Sequence, residues 1–329
     1  MLCPLMAKQL EYNATLVERI DLEPALSIFK VRPDQITRKG GPDEPWFVPG
    51  QYLTIGLNRV ESGEAAEGED DPRPPSVRRP MSIASAPEEG ETVEFYIRYV
   101  GQPESDLPLT HLLWKIQPGA RMYCRAVATG KFTVRDTIGD DDPRVKLCVA
   151  AGTGLAPFIS IARSRILRDP KARLDDIAII HGASYSMSLG YKDELERLAQ
   201  EHGLRYAPTI SRPKEEPEWT GLGGRVEALL EPDRIEETEA ALGLSAGELR
   251  PDKAAVLICG LNGTIAQTII NLSSRGFVPD NRKLRRALGI GDERKASVFW
   301  EQYDSTPVID TNDTALIERL RAQLQAALG

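Results

Sequence analysis

Val145 to Ala150 is a continuous apolar run, which the chain leaves through Ala151-Gly152-Thr153-Gly154 into Leu155 to Leu167, a segment of helical periodicity. A run that is apolar on both faces is what a strand buried in a parallel sheet requires. The pattern recurs. Ile177 to His181 reads as another buried strand, Tyr191 to Glu201 as another helix, and Leu204 to Ile210 and Ala254 to Cys259 as further strands. Thr264 to Ser274 reads as the helix after the last of these. Strands alternating with helices predict an α/β domain, a parallel sheet with helices on both faces. Glu231 to Leu249 reads as a charged helical insertion. Thr311 to Leu328 reads as a final amphipathic helix, with Leu316, Leu320, Leu324 and Leu328 on one stripe, expected to pack on its own domain.

Ahead of about Asp142 the rhythm is different. Gln9 to Ile20, Ala25 to Val31, Gln51 to Leu57, Thr92 to Tyr99 and Arg121 to Val127 are short, rich in β-branched and aromatic residues, and separated by Gly, Pro and Asp clusters. They suggest an antiparallel barrel or sandwich. Lys39 to Pro45 reads as a loop and the acidic stretch Asn58 to Ser76 as a solvated insertion. The expected organisation is residues 1–142, 143–310 and an extension, 311–329.

At 329 residues the chain has room for two such domains. A net charge of −8 argues against broad nucleic-acid binding. No apolar run is long enough to cross a bilayer. The first 20 residues lack the marks of a secretory signal, so a cytoplasmic protein is expected. Cys3, Cys124, Cys148 and Cys259 form no C-x-x-C pair and match no zinc or iron–sulfur spacing; no metal site is expected.

Three motifs carry chemistry. Ala150 to Pro157 is a glycine-rich strand-to-helix turn, where Gly152, Thr153 and Gly154 let a phosphate approach backbone N–H groups and a helix dipole. Alone it is equally well a tight turn with no ligand. Arg78-Arg79-Pro80-Met81-Ser82-Ile83-Ala84-Ser85 offers a guanidinium for a pyrophosphate and, three residues on, a hydroxyl for a ring nitrogen. Alone it is an edge strand with incidental basic residues. Ile258-Cys259-Gly260-Leu261-Asn262-Gly263 ends one buried strand and opens a helix, and its cysteine alone reads as core.

In this order the motifs resemble the ferredoxin–NADP reductase superfamily over most of the chain. Arg79 to Ser85 matches its R-x-Y-S-x-x-S, Gly152 to Pro157 its G-T-G-x-A-P, and Cys259 to Gly263 its C-G-x-x-G. Ser188 to Leu195 is similar to the S-L-L-Y-K-E-E-F of plant-type reductases, and Trp300-Glu301-Gln302-Tyr303 to their closing W-x-V-E-V-Y. The resemblance implies an antiparallel Greek-key β-barrel that holds FAD, followed by a Rossmann-like domain that binds NADP(H).

It also implies roles. Arg79 would bind the flavin pyrophosphate, with Pro80 and Met81 beside it and Met81 where an aromatic residue usually stacks on the flavin. Ser82 would lie near the reactive flavin nitrogen. Tyr96, Ile97 and Arg98 would form the next flavin-binding strand, and Thr110 would cap a short helix against the pyrophosphate. Ser211 and Arg212, with Arg225, would hold the NADP 2′-phosphate. Ser184 stands where some bacterial members have arginine, and Gly260 belongs to the turn beside the nicotinamide. Cys259 and Glu301 would surround the reacting atoms, and Tyr303 would cover the flavin until the nicotinamide displaces it. Arg98, Arg212, Arg225 and Glu301 each read, in isolation, as ordinary surface residues.

The activity so implied is hydride transfer between NADP(H) and FAD, with single electrons passed to or from a separate ferredoxin or flavodoxin. Arg78, Arg79, Arg98 and the cluster Arg282, Lys283, Arg285 and Arg286 are candidate contacts for such an acidic carrier. Two alternatives stand beside it: an NADH-dependent reductase component of an oxygenase system, and a non-catalytic subunit that keeps the fold.

Overall fold

A computed structural model of the chain describes residues 9–38, 41, 44–62, 75–103, 105, 107–302 and 306–328. Most of the acidic insertion and Tyr303 lie outside the described residues. The chain divides into two compact units, Met1–Gly130 and Lys131–Gly329.

The first unit is a six-stranded antiparallel sheet of β1 (Ala14–Glu23), β2 (Leu26–Pro33), β3 (Tyr52–Asn58), β4 (Ser76–Ser82), β5 (Val93–Arg98) and β6 (Arg121–Cys124), in the order β4-β3-β6-β1-β2-β5. Alternate residues of these strands face one core: Leu16, Phe29, Val31, Leu53, Ile55, Val93 and Phe95 are all fully buried. The sheet curls into the expected barrel but stays open. Its edge strands β4 and β5 meet at a lone bridge, Ile83 to Phe95, where the Ala84 N–H donates to the Glu94 carbonyl at 2.9 Å. The Glu94 N–H in turn donates to Ser85 Oγ at 3.0 Å. One short helix, α1 (Leu109–Leu113), buries Leu109, Thr110, Leu112 and Leu113 and packs against β3 and β4.

The second unit opens with α2 (Val134–Thr137), whose Asp136 N–H is capped by Thr133 Oγ1 at 3.0 Å. The sequence rhythm put the change of domain near Asp142, yet residues 131–142 belong here. Phe132 packs its ring 5.9 Å from that of Phe158 on α3 (Ala156–Arg168), and this aromatic contact ties the segment to the second core. The sheet is parallel throughout: β7 (Val145–Ala151), β8 (Ile177–Ala183), β9 (Arg205–Ile210), β10 (Leu222–Gly223), β11 (Ala254–Cys259) and β12 (Val298–Glu301), in the order β10-β9-β8-β7-β11-β12. Leu147, Val149, Ile180, Val256 and Ile258 are fully buried, and each contributes on the order of 1.5–3 kcal/mol relative to exposure.

Around the sheet lie α4 (Lys192–His202), α5 (Ile235–Ala241), α6 (Asn262–Ser273), α7 (Arg282–Leu288) and α8 (Thr314–Leu328). The charged insertion is helical only over α5. The Glu239 carboxylate is buried and accepts the N–H groups of Gly247 at 2.8 Å and Leu249 at 2.7 Å, so the chain turns back on itself there. The closing helix does pack on its own unit: Ile317, Leu320 and Leu324 are buried in the second core, and Arg321 donates to the Ala287 carbonyl at 2.6 Å.

A charge network binds the amino ends of the strands. The Asp142 carboxylate, 1% exposed, accepts from Arg144 Nε and Nη2 at 3.0 Å each and from Lys295 Nζ at 2.6 Å. Lys146 Nζ donates to the Asp142 carbonyl at 2.7 Å and to Asp176 at 3.0 Å. Burial alone would raise the Asp142 pKa; the hydrogen bonds from Arg144 and Lys295 outweigh it and hold the carboxyl well below its usual range. Asp142→Ala strands the buried Arg144 guanidinium. We expect a loss of about 3 kcal/mol in urea denaturation, with dinucleotide affinity unchanged because the network lies at the end of the strands away from the glycine turns. A loss under about 1 kcal/mol would show that water replaces the carboxylate.

Candidate active site

The chain steps from β7 to β8, β9 and β10 on one side of the second sheet, then returns to place β11 on the other side of β7. At such a reversal the connections leave in opposite directions, and a crevice opens at the carboxyl ends of the two central strands. Both glycine motifs of the second unit end there. Ala150 of β7 is paired with Cys259 of β11, so the turns that follow them are neighbours. Gly152 begins a 3-10 turn, Gly152–Leu155, at φ 55°, a conformation that favours glycine. Nothing lies within 4 Å of the place a Cβ would take, so the space above it is open. Gly154 is the opposite case. A Cβ there would stand 2.6 Å from the Cys259 carbonyl carbon, closer still to its oxygen, and 3.2 Å from the Gly260 nitrogen. Gly260 presses likewise on Ala151, whose Cβ would be 2.9 Å away from an added one. The helices that follow, α3 and α6, both begin without a side-chain cap. α3 runs straight on from the 3-10 turn, its Ala156 N–H donating to the Thr153 carbonyl and Pro157 having none, so the backbone placed to meet an anion such as a pyrophosphate is that of the Gly152 turn and the start of α6.

Cys259 and Glu301 come together as cross-strand neighbours at the ends of β11 and β12, and both are buried. Glu301 is therefore not a surface carboxylate. Cys148, within β7, and Cys124, in the first unit, are also buried; burial pushes the Cys124 thiol up to about 12 and raises the Cys148 thiol as well, so neither is a ready nucleophile.

The strands on the other side of β7 gather the remaining polar residues. Ser184 follows β8 and Ser211 follows β9, where the Ser211 N–H donates to the Ala183 carbonyl at 2.9 Å. Arg212 reaches back across that pair, donating from Nη1 to the Tyr185 hydroxyl at 2.7 Å, with its Cζ 5.3 Å from the centre of the Tyr185 ring. Arg225 follows β10 on the same edge; its side chain is 79% exposed and 3.9 Å from Glu227. Tyr185 was not singled out in the sequence; its place next to Ser184 was the available signal.

Another residue not singled out is His181, on β8 beneath the Gly152 turn. Its ring is fully buried, with Nδ1 3.3 Å from the Tyr206 hydroxyl and Nε2 in no hydrogen bond of ordinary geometry. Burial lowers its pKa to about 4, against a smaller upward pull from the Gly152 backbone.

In the first unit the resemblance placed its site residues on β4 and β5, and these are the two edge strands. Arg79 is exposed, with Nη1 donating to the Arg78 carbonyl at 2.9 Å; Pro80 and Met81 are half-buried and Ser82 is buried. Tyr96 and Ile97 are buried, while Arg98 is exposed and 3.1 Å from Glu23. Thr110 does not cap α1. The cap position is Pro108, and Thr110 sits inside the first turn, where its buried Oγ1 accepts the Val100 N–H at 3.3 Å. An exposed guanidinium and a buried hydroxyl on an edge strand form a donor set that fits a flat ring with a pyrophosphate tail. Tyr303 lies outside the described residues. Arg285 leaves the basic cluster: it is buried and donates to the carbonyls of Gly291 at 2.6 Å and Arg294 at 2.7 Å. Among the described residues no group of His, Cys, Asp and Glu is placed to hold a metal, and no helix is long and apolar enough to cross a membrane.

Two outcomes follow. Gly154→Ala forces the β7 turn off the Cys259 carbonyl, and we expect dinucleotide affinity to fall at least tenfold with a stability loss of about 1–3 kcal/mol; unaltered affinity would mean the turn does not contact the ligand. His181 is neutral when folded, so its contribution is fully present above pH 6.5 and is lost as pH falls toward 4. Between those values stability should drop by on the order of 3 kcal/mol in urea titrations, and His181→Leu should remove that part of the slope.

The model of the oxidoreductase NAD-binding domain family matches residues 148–269. Ferredoxin–NADP reductase A of Sorangium cellulosum is 34% identical over 247 residues, 71% of this chain and 76% of the relative. Ferredoxin–NADP reductase B of the same organism is 32% identical over 216 residues, 63% of this chain and 75% of the relative. Among solved structures, a ferredoxin NADP+ reductase from Neisseria gonorrhoeae with bound FAD and NADP shares the fold, with a TM-score of 0.65 at 23% identity over 89% of this chain and 99% of that one. With its open antiparallel barrel, its parallel sheet and its paired glycine turns at the strand reversal, the chain belongs to the ferredoxin–NADP reductase superfamily of flavin-dependent oxidoreductases.

Proposed function

We propose that this protein transfers hydride between NADP(H) and FAD and exchanges single electrons with a separate ferredoxin or flavodoxin. The observation that carries the proposal is the pair of glycine turns in backbone contact at the strand reversal, with Arg212 at the end of β9 on the same edge. The dinucleotide pyrophosphate would lie over Gly152, Thr153 and Gly154, taking N–H groups of that turn. Ser211, Arg212 and Arg225 would receive the 2′-phosphate, with Ser184 beside them. Gly260 would bring backbone close to the nicotinamide, and Cys259 and Glu301 supply a thiol and a carboxyl for positioning it and moving a proton.

FAD would be held along the open edges of the barrel. Arg79 suits its pyrophosphate and Ser82 its ring nitrogen; Pro80 and Met81 lie on the same strand β4, Tyr96, Ile97 and Arg98 on β5, and Thr110 on α1. When bound, FAD supplies the conversion of a two-electron hydride into single-electron steps. An acidic carrier protein would find an exposed basic face on α7 at Arg282, Lys283 and Arg286.

The test is spectroscopic first. Purified protein should carry a flavin absorption that NADPH bleaches under anaerobic conditions; a preparation that stays colourless with added FAD favours the non-catalytic reading. Arg212→Ala should then raise the KM for NADPH at least tenfold and leave that for NADH within twofold. An unchanged ratio removes Arg212 from the 2′-phosphate site and favours the NADH-dependent reading.

A further inference from the structure

Arg212 already has an anion. The Tyr185 hydroxyl that accepts from its Nη1 at 2.7 Å donates onward to Glu215 Oε2 at 2.6 Å, and Glu215 Oε1 lies 3.8 Å from the same Nη1. Arginine, tyrosine and glutamate form a relay in which Arg212 Nη1 donates to the Tyr185 hydroxyl and that hydroxyl donates to Glu215. Glu215 is held there by the 3-10 turn Pro213–Glu215 that follows Arg212 directly. A second carboxylate, Glu216, accepts the Ser186 N–H through both oxygens at 3.1 Å, on the loop that carries Tyr185. The other cation of this edge, Arg225, has Glu227 3.9 Å away. The remaining polar side chain at this edge, Ser184, carries no charge.

We propose that Glu215 is a built-in counter-anion that sets the choice between NADPH and NADH. On the reading that Arg212 receives the 2′-phosphate, that group arrives as a dianion beside a carboxylate that already neutralises the guanidinium. The repulsion acts on the phosphate and not on the 2′-hydroxyl of NADH. Glu215 therefore weakens NADPH selectively and leaves the enzyme able to use both dinucleotides. The relay also fixes Arg212 in place before any ligand arrives, so its geometry is retained while its net charge is offset. Side chains of Arg212 and Glu215 are about half exposed, so the repulsion is partly screened and should weaken as ionic strength rises.

The experiment compares adenosine 2′,5′-bisphosphate with 5′-AMP by calorimetric titration of the flavin-loaded wild type and of Glu215→Gln and Glu215→Asp. Steady-state KM values for NADPH and NADH are measured on the same samples. Glu215→Gln keeps an acceptor for the Tyr185 hydroxyl and removes the charge. It should tighten the bisphosphate five- to twentyfold, lower the KM for NADPH to match, and move 5′-AMP and NADH less than twofold. Glu215→Asp keeps the charge and should leave the selectivity within threefold of wild type. If Glu215→Gln leaves selectivity unchanged or lowers it, or if Asp behaves as Gln does, the counter-anion role is overturned and Glu215 only scaffolds Arg212. Failure of the underlying assignment looks different: Arg212→Ala would then leave the bisphosphate no weaker relative to 5′-AMP, whatever happens at Glu215.

Discussion

The backbone contact between Gly154 and the carbonyl of Cys259 sets the geometry of the second unit. Two strands adjacent in a parallel sheet stand about 4.8 Å apart, and the turns that leave them diverge only if nothing fills the space between. Here that space admits no Cβ at residue 154. The turn after β7 can therefore lie against the end of β11. The open face of Gly152, the start of α6 and the buried neighbours Cys259 and Glu301 lie at that same end of the strands.

Charge is distributed unequally along the same strands. At the amino ends, Asp142, Arg144 and Lys146 are buried and paired with one another, with the half-buried Asp176 and with the exposed Lys295, and they serve to fix the sheet. At the carboxyl end of β9 the charged groups Arg212 and Glu215 are half exposed and joined through Tyr185. The first arrangement is costly to disturb and indifferent to ligands. The second is responsive to an incoming anion, because its partners are held by one or two hydrogen bonds in contact with water.

Much of this was legible in the sequence, and the reason is periodicity. Strands buried on both faces, such as Val145 to Ala150 and Ala254 to Cys259, leave continuous apolar runs, and the helices between them leave a 3.6-residue stripe. The glycine turns were legible because few other residues fit them. Less visible were elements defined by partners distant in sequence. The short strands β4, β10 and β12 draw their identity from β3, β9 and β11. The helical reading of Glu231 to Leu249 failed because a buried carboxylate, Glu239, captures the backbone at Gly247 and Leu249. Arg285 looked like one more surface charge among four; only the fold shows its guanidinium turned inward to three carbonyls. Tyr185 and His181 escaped notice because a lone polar residue at a strand end has no pattern.

The open seam of the first sheet bears on how the molecule coexists with its own copies. Among the described residues no strand ladder covers the outer edge of β4, and a sheet edge is a template for strand addition by a neighbouring chain. Along that edge stand Arg78 and Arg79, both exposed, and Pro80, which has no N–H to offer. Two positive charges repel a like strand, and the proline interrupts the ladder that such a strand would need. The residues whose chemistry suits a pyrophosphate thus also keep the seam from acting as a template for aggregation, so the motif answers to solubility as well as to its ligand.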